Sequence, residues 1–284
     1  IMSIENFKNI SRSISPYTKL CTLHILGDPL SLDNLSEYLE VATKENLKIE
    51  LTSSGFYLSK NIINLLLESP CIHQINISLM SSLYQNKIID LKQYFAPILK
   101  LCTLHQNTKS EKFINLRLWN LNPDLTPPPC NQHIYKILQS SFNLTPFVFN
   151  DFHPKVRLGY KIFLTQAKQF KWSNLKNGSL FLTGSCYGGT KQLGILCDGR
   201  VVPCCFDTHG VITLGNILEH SLEEILQMQR AKNMIEGFKN NQRVESLCQA
   251  CSYPNEKNNI KNLNQGYSIN SKDSNSIQSP IKLH

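Results

Sequence analysis

Nowhere does an apolar run reach the ~18 residues that a membrane-spanning helix requires, so no membrane partner is expected. The opening Ile1-Met2-Ser3-Ile4-Glu5-Asn6-Phe7 lacks the basic n-region and apolar core of a secretory leader. Charge is scarce, with 18% of residues being Asp, Glu, Lys or Arg. The net charge of +8 comes from scattered lysines, and the densest group (Lys168, Lys171, Lys176) is interrupted by aromatics and Asn. With no basic stripe or nucleic-acid motif, the expectation is a solvated basic surface and no nucleic-acid partner. Ten cysteines in a chain without a leader point to a reducing, cytoplasmic setting, where clustered thiols serve as ligands rather than bridges. Opening on Ile rather than Met is what a fragment, or an unusual start codon, would produce.

What is present is enough for a sizeable core. A chain of 284 residues suggests one large domain, or one and a half, with an appendage. Ile4, Phe7, Ile10 and Ile14 share one helical face. Strands are expected at 20–26, 47–52, 72–79 and 113–119, alternating with helices around 35–42, 59–67 and 88–105, with Asp33 and Ser59 as N-caps. Pro127-Pro128-Pro129 marks a loop, 131–142 reads as helix, and strand signals return at 147–149 and 157–163. This alternation predicts an α/β fold with a parallel sheet and ligands at the C-terminal strand ends. The rhythm stops near Asn177-Gly178. From there to Pro254 the chain turns to Gly- and Cys-rich pieces with one helix over 221–237. Residues 255–284 are Asn, Ser and Lys with few apolar side chains, which predicts a disordered polar tail. The expected domains are therefore 1–178, 179–254 and the tail.

The cysteines of the second domain carry the chemistry. Cys186 is followed by Gly199 and Cys204, then by Cys248-Gln249-Ala250-Cys251. A CxxC turn aims two sulfurs at one centre, and a turn at Cys197-Asp198-Gly199-Arg200 would bring Cys186 and Cys204 to them. Four soft thiolates select either zinc or an iron–sulfur cluster. Cys197 and Cys205 stand close enough in sequence to replace a ligand. Cys21, Cys71, Cys102 and Cys130 lie in apolar or helical contexts and read as buried small hydrophobes.

The runs LHILGDPL (23–30), LTSSGFYL (51–58) and INISLM (75–80) resemble the radical S-adenosylmethionine (radical SAM) enzymes. LGILCDGRVVPCC, LGNI (214–217) and LCQAC (247–251) resemble their C-terminal SPASM/twitch extension. The resemblance implies a partial (β/α) TIM-like barrel missing its first strand, followed by a small Cys-rich domain. It implies that Gly27, Asp28 and Pro29 help hold the methionine amino group of S-adenosylmethionine, and that Ser53 and Ser78 face that cofactor. Arg117, an arginine among leucines on an inward strand, needs a carboxylate or the cofactor as partner. The resemblance implies one auxiliary [4Fe–4S] cluster on Cys186, Cys204, Cys248 and Cys251, in the one-cluster twitch form because no cysteine follows Cys251. It also implies a peptide or small-molecule substrate, and an electron donor such as a flavodoxin or ferredoxin.

One family motif is absent: CxxxCxxC occurs nowhere in the sequence. The expectation is that the strand and loop bearing it precede Ile1, and that residues 1–284 cannot alone make a 5′-deoxyadenosyl radical. The alternative is a non-catalytic iron–sulfur or zinc protein.

Overall fold

The computed structural model describes residues 1–144, 153–176, 180–253 and 281–283. The expected strand at 147–149 and the domain boundary at Asn177-Gly178 lie outside these residues. In chain order the elements are α1 (Ile4–Ile14), β1 (Leu20–Leu23), α2 (Leu35–Lys44), β2 (Lys48–Ser53), α3 (Lys60–Glu68), β3 (Ile72–Ser78), α4 (Leu91–Asn107), β4 (Phe113–Leu121), α5 (Asn131–Ser141), β5 (Lys155–Gly159) and β6 (Ile162–Lys168). Short strands β7 (Gly194–Ile195), β8 (Arg200–Val202) and β9 (Gly215–Asn216) follow, then α6 (Leu222–Gln227), α7 (Gln229–Lys239), α8 (Ser246–Gln249) and β10 (Ile281–Leu283). The architecture is α/β, as the alternation predicts. None of the described helices is long and apolar enough to cross a membrane.

The chain forms two compact units. One comprises Gly27–Thr43 and Lys48–Phe170, and the other Ile1–Leu26, Lys44–Leu47 and Lys171–His284. This division differs from the expected one because residues 1–26 group with the C-terminal part.

In the unit built on Lys48–Phe170, the strand order is β5-β6-β4-β3-β2. Strands β2, β3, β4 and β6 run parallel, and β5 closes the edge antiparallel to β6. Alternation decides which face is core. Leu51, Ile75, Ile77, Ile114, Leu116 and Leu164 are fully buried, as are Leu66, Ile98 and Leu138 on α3, α4 and α5. The alternate positions are polar: Glu50, Thr52, Gln74, Asn76, Asn115, Arg117 and Thr165 stand side by side in the ladder. The Asn76 amide donates to Leu51 O (3.1 Å), and the Gln74 and Asn115 amides donate to Asn76 Oδ1 (2.8 and 3.3 Å). A fully buried Asn is thus satisfied by the sheet itself. Ser59 caps α3 as expected, accepting from Ile62 N (3.3 Å). The expected strand over 157–163 is instead the hairpin β5–β6, because the backbone reverses at Tyr160-Lys161 with Lys161 at φ 52°.

In the other unit, β1, β10 and β7 are parallel neighbours, and β8 and β9 add antiparallel. Cys21 is opposite Ile281, and Lys282 is opposite Gly194. Ile281–Leu283, expected within a polar tail, is therefore a strand; the rest of 255–284, from residue 284 back to 280 and 255 alike, lies outside the described residues. Its three residues join two strands whose edges are otherwise short, and sheet pairing supplies what their composition does not. Phe7, Ile10 and Ile14 bury the predicted face of α1. The expected single helix over 221–237 is two. Ser221 and Glu224 form a capping box at the start of α6. Met228 then breaks the run with an extended backbone (φ −61°, ψ 146°). No Gly or Pro marks this break, so periodicity alone runs through it.

Candidate functional site

The cysteine region is assembled from a hairpin, a loop and one helical turn. Gly199 carries the hairpin turn: its φ of +86° suits glycine, and an added Cβ would stand 2.4 Å from Asn216 Oδ1. Leu196 N donates to Arg200 O and Gly199 N to Leu196 O (both 2.9 Å), so β8 leads back and delivers Cys204. Asp207 N donates to Cys204 O (3.2 Å). The buried Asp207 carboxylate accepts from Val211 N (2.8 Å) and Ile212 N (2.7 Å), fixing the loop beyond. On the other side, the single turn α8 holds Cys248, and Cys251 N donates to Cys248 O (3.2 Å).

Cys186, Cys204, Cys248 and Cys251 line one cavity, together with apolar groups that include Phe206 and Leu247. The four cysteines that the resemblance implies as ligands therefore lie along one cavity. Cys197, in the hairpin turn, and Cys205 are not part of that lining. Among the described residues, no three His, Cys, Asp or Glu side chains are gathered around the point of a single metal ion. Burial, reinforced by the neighbouring Cys205, pushes the Cys204 thiol well above its usual range. Burial and Cys186 push Cys248 up to about 12, and burial raises Cys251 as well. Four thiols lining one cavity fit a multiply charged metal centre, which would compensate the thiolates of Cys204, Cys248 and Cys251 that burial disfavours. Of the remaining cysteines, Cys21, Cys71 and Cys102 are buried as expected, whereas Cys130 is exposed because it stands at the start of α5 after the proline run.

Spacing contains no hint of Arg243, which organises the CxxC turn. This residue is 2% exposed and donates from Nη1 to Cys251 O (2.7 Å) and Cys248 O (3.2 Å). The guanidinium lies 5.5 Å from the Phe181 ring centroid. Gly184 makes room for it, since a Cβ there would stand 2.7 Å from Nη2. The only signal in the sequence is a lone arginine five residues before the CxxC.

The strand ends of the other unit gather most of the second set of predicted residues. Gly27 turns with φ +85°. Asp28 Oδ1 accepts from Leu30 N (3.0 Å) ahead of Pro29, and Oδ2 accepts from Ser53 Oγ (2.9 Å), Ser54 N (2.7 Å) and Ser54 Oγ (2.6 Å). This aspartate clamps its loop onto the end of β2. Tyr94 O–H donates to Ser54 O (2.7 Å) and to Ser78 O (3.4 Å), tying in the end of β3; burial, then Asp28, raise its pKa. Ser54 and Tyr94 are not legible as site residues in the sequence. Asp28→Ala is expected to destabilise the fold by about 2 kcal/mol, because four donors lose their acceptor. Urea denaturation of the two proteins measures it, and an unchanged midpoint would contradict the clamp.

Arg117 lies deeper on the same polar face, opposite Ser78 and Thr165. Its guanidinium carbon sits 4.6 Å from the Trp119 ring centroid, and burial lowers its pKa to about 10 against the opposing pull of Glu50. Arg117 Nε, Thr165 Oγ1 and Asn115 Oδ1 are buried without a hydrogen-bond partner among the described residues. Of these, the Arg117 Nε–H and the Thr165 hydroxyl are donors, and a desolvated guanidinium with a free N–H fits an anionic ligand.

Residues 186–252 match the family model of SPASM, an iron–sulfur cluster-binding domain. The match begins at Cys186 and ends one residue beyond Cys251. No curated protein matches the chain. Among solved structures, a histidine-tagged anSMEcpe with bound AdoMet is 15% identical with a TM-score of 0.54, covering 94% of this chain and 88% of that one. BtrN in complex with AdoMet and 2-DOIA is 12% identical with a TM-score of 0.53, covering 88% and 80%. Streptococcus suis SuiB bound to the precursor peptide SuiA is 14% identical with a TM-score of 0.51, covering 89% and 65%. These likenesses show that the chain shares the α/β fold of anSMEcpe and BtrN, with residues 186–252 similar to the SPASM domain.

Proposed function

We propose that this chain is a radical SAM/SPASM-family iron–sulfur protein whose Cys186, Cys204, Cys248 and Cys251 hold one auxiliary [4Fe–4S] cluster. The observation that carries the reading is the shared cavity of these four thiols within the span matched by the cluster-binding family. Arg243 holds the CxxC carbonyls, and Asp207 holds the loop after Cys204, so the thiols are positioned by buried hydrogen bonds. Bound there, the cluster supplies a one-electron centre. Ten free cysteines suit a reducing cytoplasm.

The strand ends form the S-adenosylmethionine side of the proposal. Ser53 and Ser78 stand at the ends of β2 and β3, and Arg117 supplies a desolvated cation for the methionine carboxylate. Gly27, Asp28 and Pro29 shape the loop beside them. The substrate is a peptide or small molecule; SuiB, of similar fold, binds the peptide SuiA, and a peptide suits an open polar strand-end face. Titration of the chain with S-adenosylmethionine by calorimetry tests this side. Binding weakened about tenfold or more by Arg117→Met is expected from loss of one charged hydrogen bond. Equal affinity in both proteins would refute the role of Arg117.

A second reading is favoured by Asp28 itself. Its two oxygens already accept four hydrogen bonds from the protein, which leaves little for an ammonium group. With no CxxxCxxC among residues 1–284, that geometry suits an iron–sulfur protein that binds its cluster without S-adenosylmethionine chemistry. Calorimetry showing no heat of binding in a chain loaded with iron selects this reading.

A further inference from the structure

The polar face of β4, β6 and β5 carries positive charge that these strands do not balance. Register places Arg117, Thr165 and Lys155 in one row across the three strands, and Asn115, Phe163 and Arg157 in the next. Paired residues share a face, so these six side chains rise from one side, opposite the buried Leu116, Leu164 and Val156. Lys155 and Arg157 are exposed and bracket one ring: Lys155 Nζ lies 4.0 Å and Arg157 Cζ 5.9 Å from the Phe163 centroid. Neither cation has an ion pair or a hydrogen bond from its side chain among the described residues. Strands β4, β5 and β6 contain no Asp or Glu, and Glu50 belongs to β2, four strands from β5. A lysine on an edge strand is by itself an ordinary guard against pairing. That role leaves the neighbouring groups unexplained, because Thr165 Oγ1 and Asn115 Oδ1 are buried without a hydrogen-bond partner among the described residues.

We propose that Lys155, Arg157 and Thr165 hold the phosphoryl group of a small, hydroxyl-bearing phosphate monoester, the substrate of this face. The inference rests on the reading of this unit as the side where substrate and S-adenosylmethionine meet, and it narrows the substrate to one class. Two unbalanced cations match a dianion, which a phosphate monoester is at neutral pH because its second pKa is about 6. A single carboxylate supplies half that charge. The Thr165 hydroxyl donates to a phosphoryl oxygen beside the two cations, a charge-assisted hydrogen bond. Asn115 Oδ1, an acceptor without a donor, stands two strands from β5, about 10 Å away. It accepts from a hydroxyl at the far end of the ligand. Phe163 lies between the two ends and offers an apolar surface to the carbon skeleton. Arg117, also two strands from β5, stays available to the methionine carboxylate.

The test titrates glucose 6-phosphate into the full chain by calorimetry, with glucuronate and glucose as parallel arms. Glucose 6-phosphate is expected to bind at least about tenfold more tightly than either, the difference made by charged hydrogen bonds. Lys155→Met/Arg157→Met keeps two long side chains over Phe163 and is expected to weaken glucose 6-phosphate by about tenfold or more. Thr165→Val, close in shape, weakens it by about threefold or more without lowering the melting temperature, since the hydroxyl it removes has no partner within the fold. Absence of heat with glucose 6-phosphate overturns the proposal. So does equal affinity in the wild type and a folded double variant, or glucuronate or glucose binding as tightly as the phosphate. S-adenosylmethionine is titrated into the same wild-type protein. Silence there defeats the cofactor reading and leaves the phosphate response standing, so the two fail separately.

Discussion

Cys204→Ala is expected to strip the chain of nearly all bound iron, from about four atoms per chain to below one, since a [4Fe–4S] centre relies on each of four thiolates. Cys204 follows β8 after Pro203, and the hairpin turn at Gly199 fixes the course of the strand that leads to it. The informative controls are its neighbours. Cys205→Ala and Cys197→Ala remove thiols that do not line the cavity, and both are expected to keep their iron. Iron and sulfide analysis after anaerobic reconstitution reads the difference. Equal retention in Cys204→Ala, or equal loss in Cys205→Ala, contradicts the assignment of ligands.

Arg243→Met is expected to destabilise the unit that carries the cysteines by about 3 kcal/mol, the range for stranding buried polar partners. The methionine fills volume, but it leaves the carbonyls of Cys248 and Cys251 without their shared donor. Because those carbonyls shape the CxxC turn, the two sulfurs also lose their orientation. Arg243→Lys recovers only part of the effect, since an ammonium lacks the planar fork that spans both carbonyls and rests on Phe181. Thermal melts with and without iron measure both aspects. A variant that melts at the wild-type temperature and reconstitutes fully would show that the turn holds itself.

Much of this is legible in the sequence because it depends on period and spacing. Alternating Ile and Leu in β3 and β4 announce the parallel sheet, Ser59 announces α3, and the CxxC with Gly199 announces the thiol cavity. The misses share a cause. The break at Met228 and the reversal at Lys161 involve residues with ordinary helical or strand character, whose backbone is set by what they pack against. Strand β10 is three residues long and gains its order from two neighbours distant in sequence. Asp28 reads in the sequence as facing a ligand, yet it commits its acceptors to Ser53 and Ser54, a pairing across 25 residues or more that no local pattern encodes. Arg243 is a contact of the same kind, visible only once the turn at Cys248 is in place.

The central claim is that these four thiols hold an iron–sulfur cluster. Anaerobic reconstitution of the chain with iron and sulfide, followed by metal analysis and EPR of the dithionite-reduced protein, tests it most directly. The account predicts about four irons and four sulfides per chain and the signal of one reduced cubane. Tight stoichiometric zinc with no retained iron would contradict it.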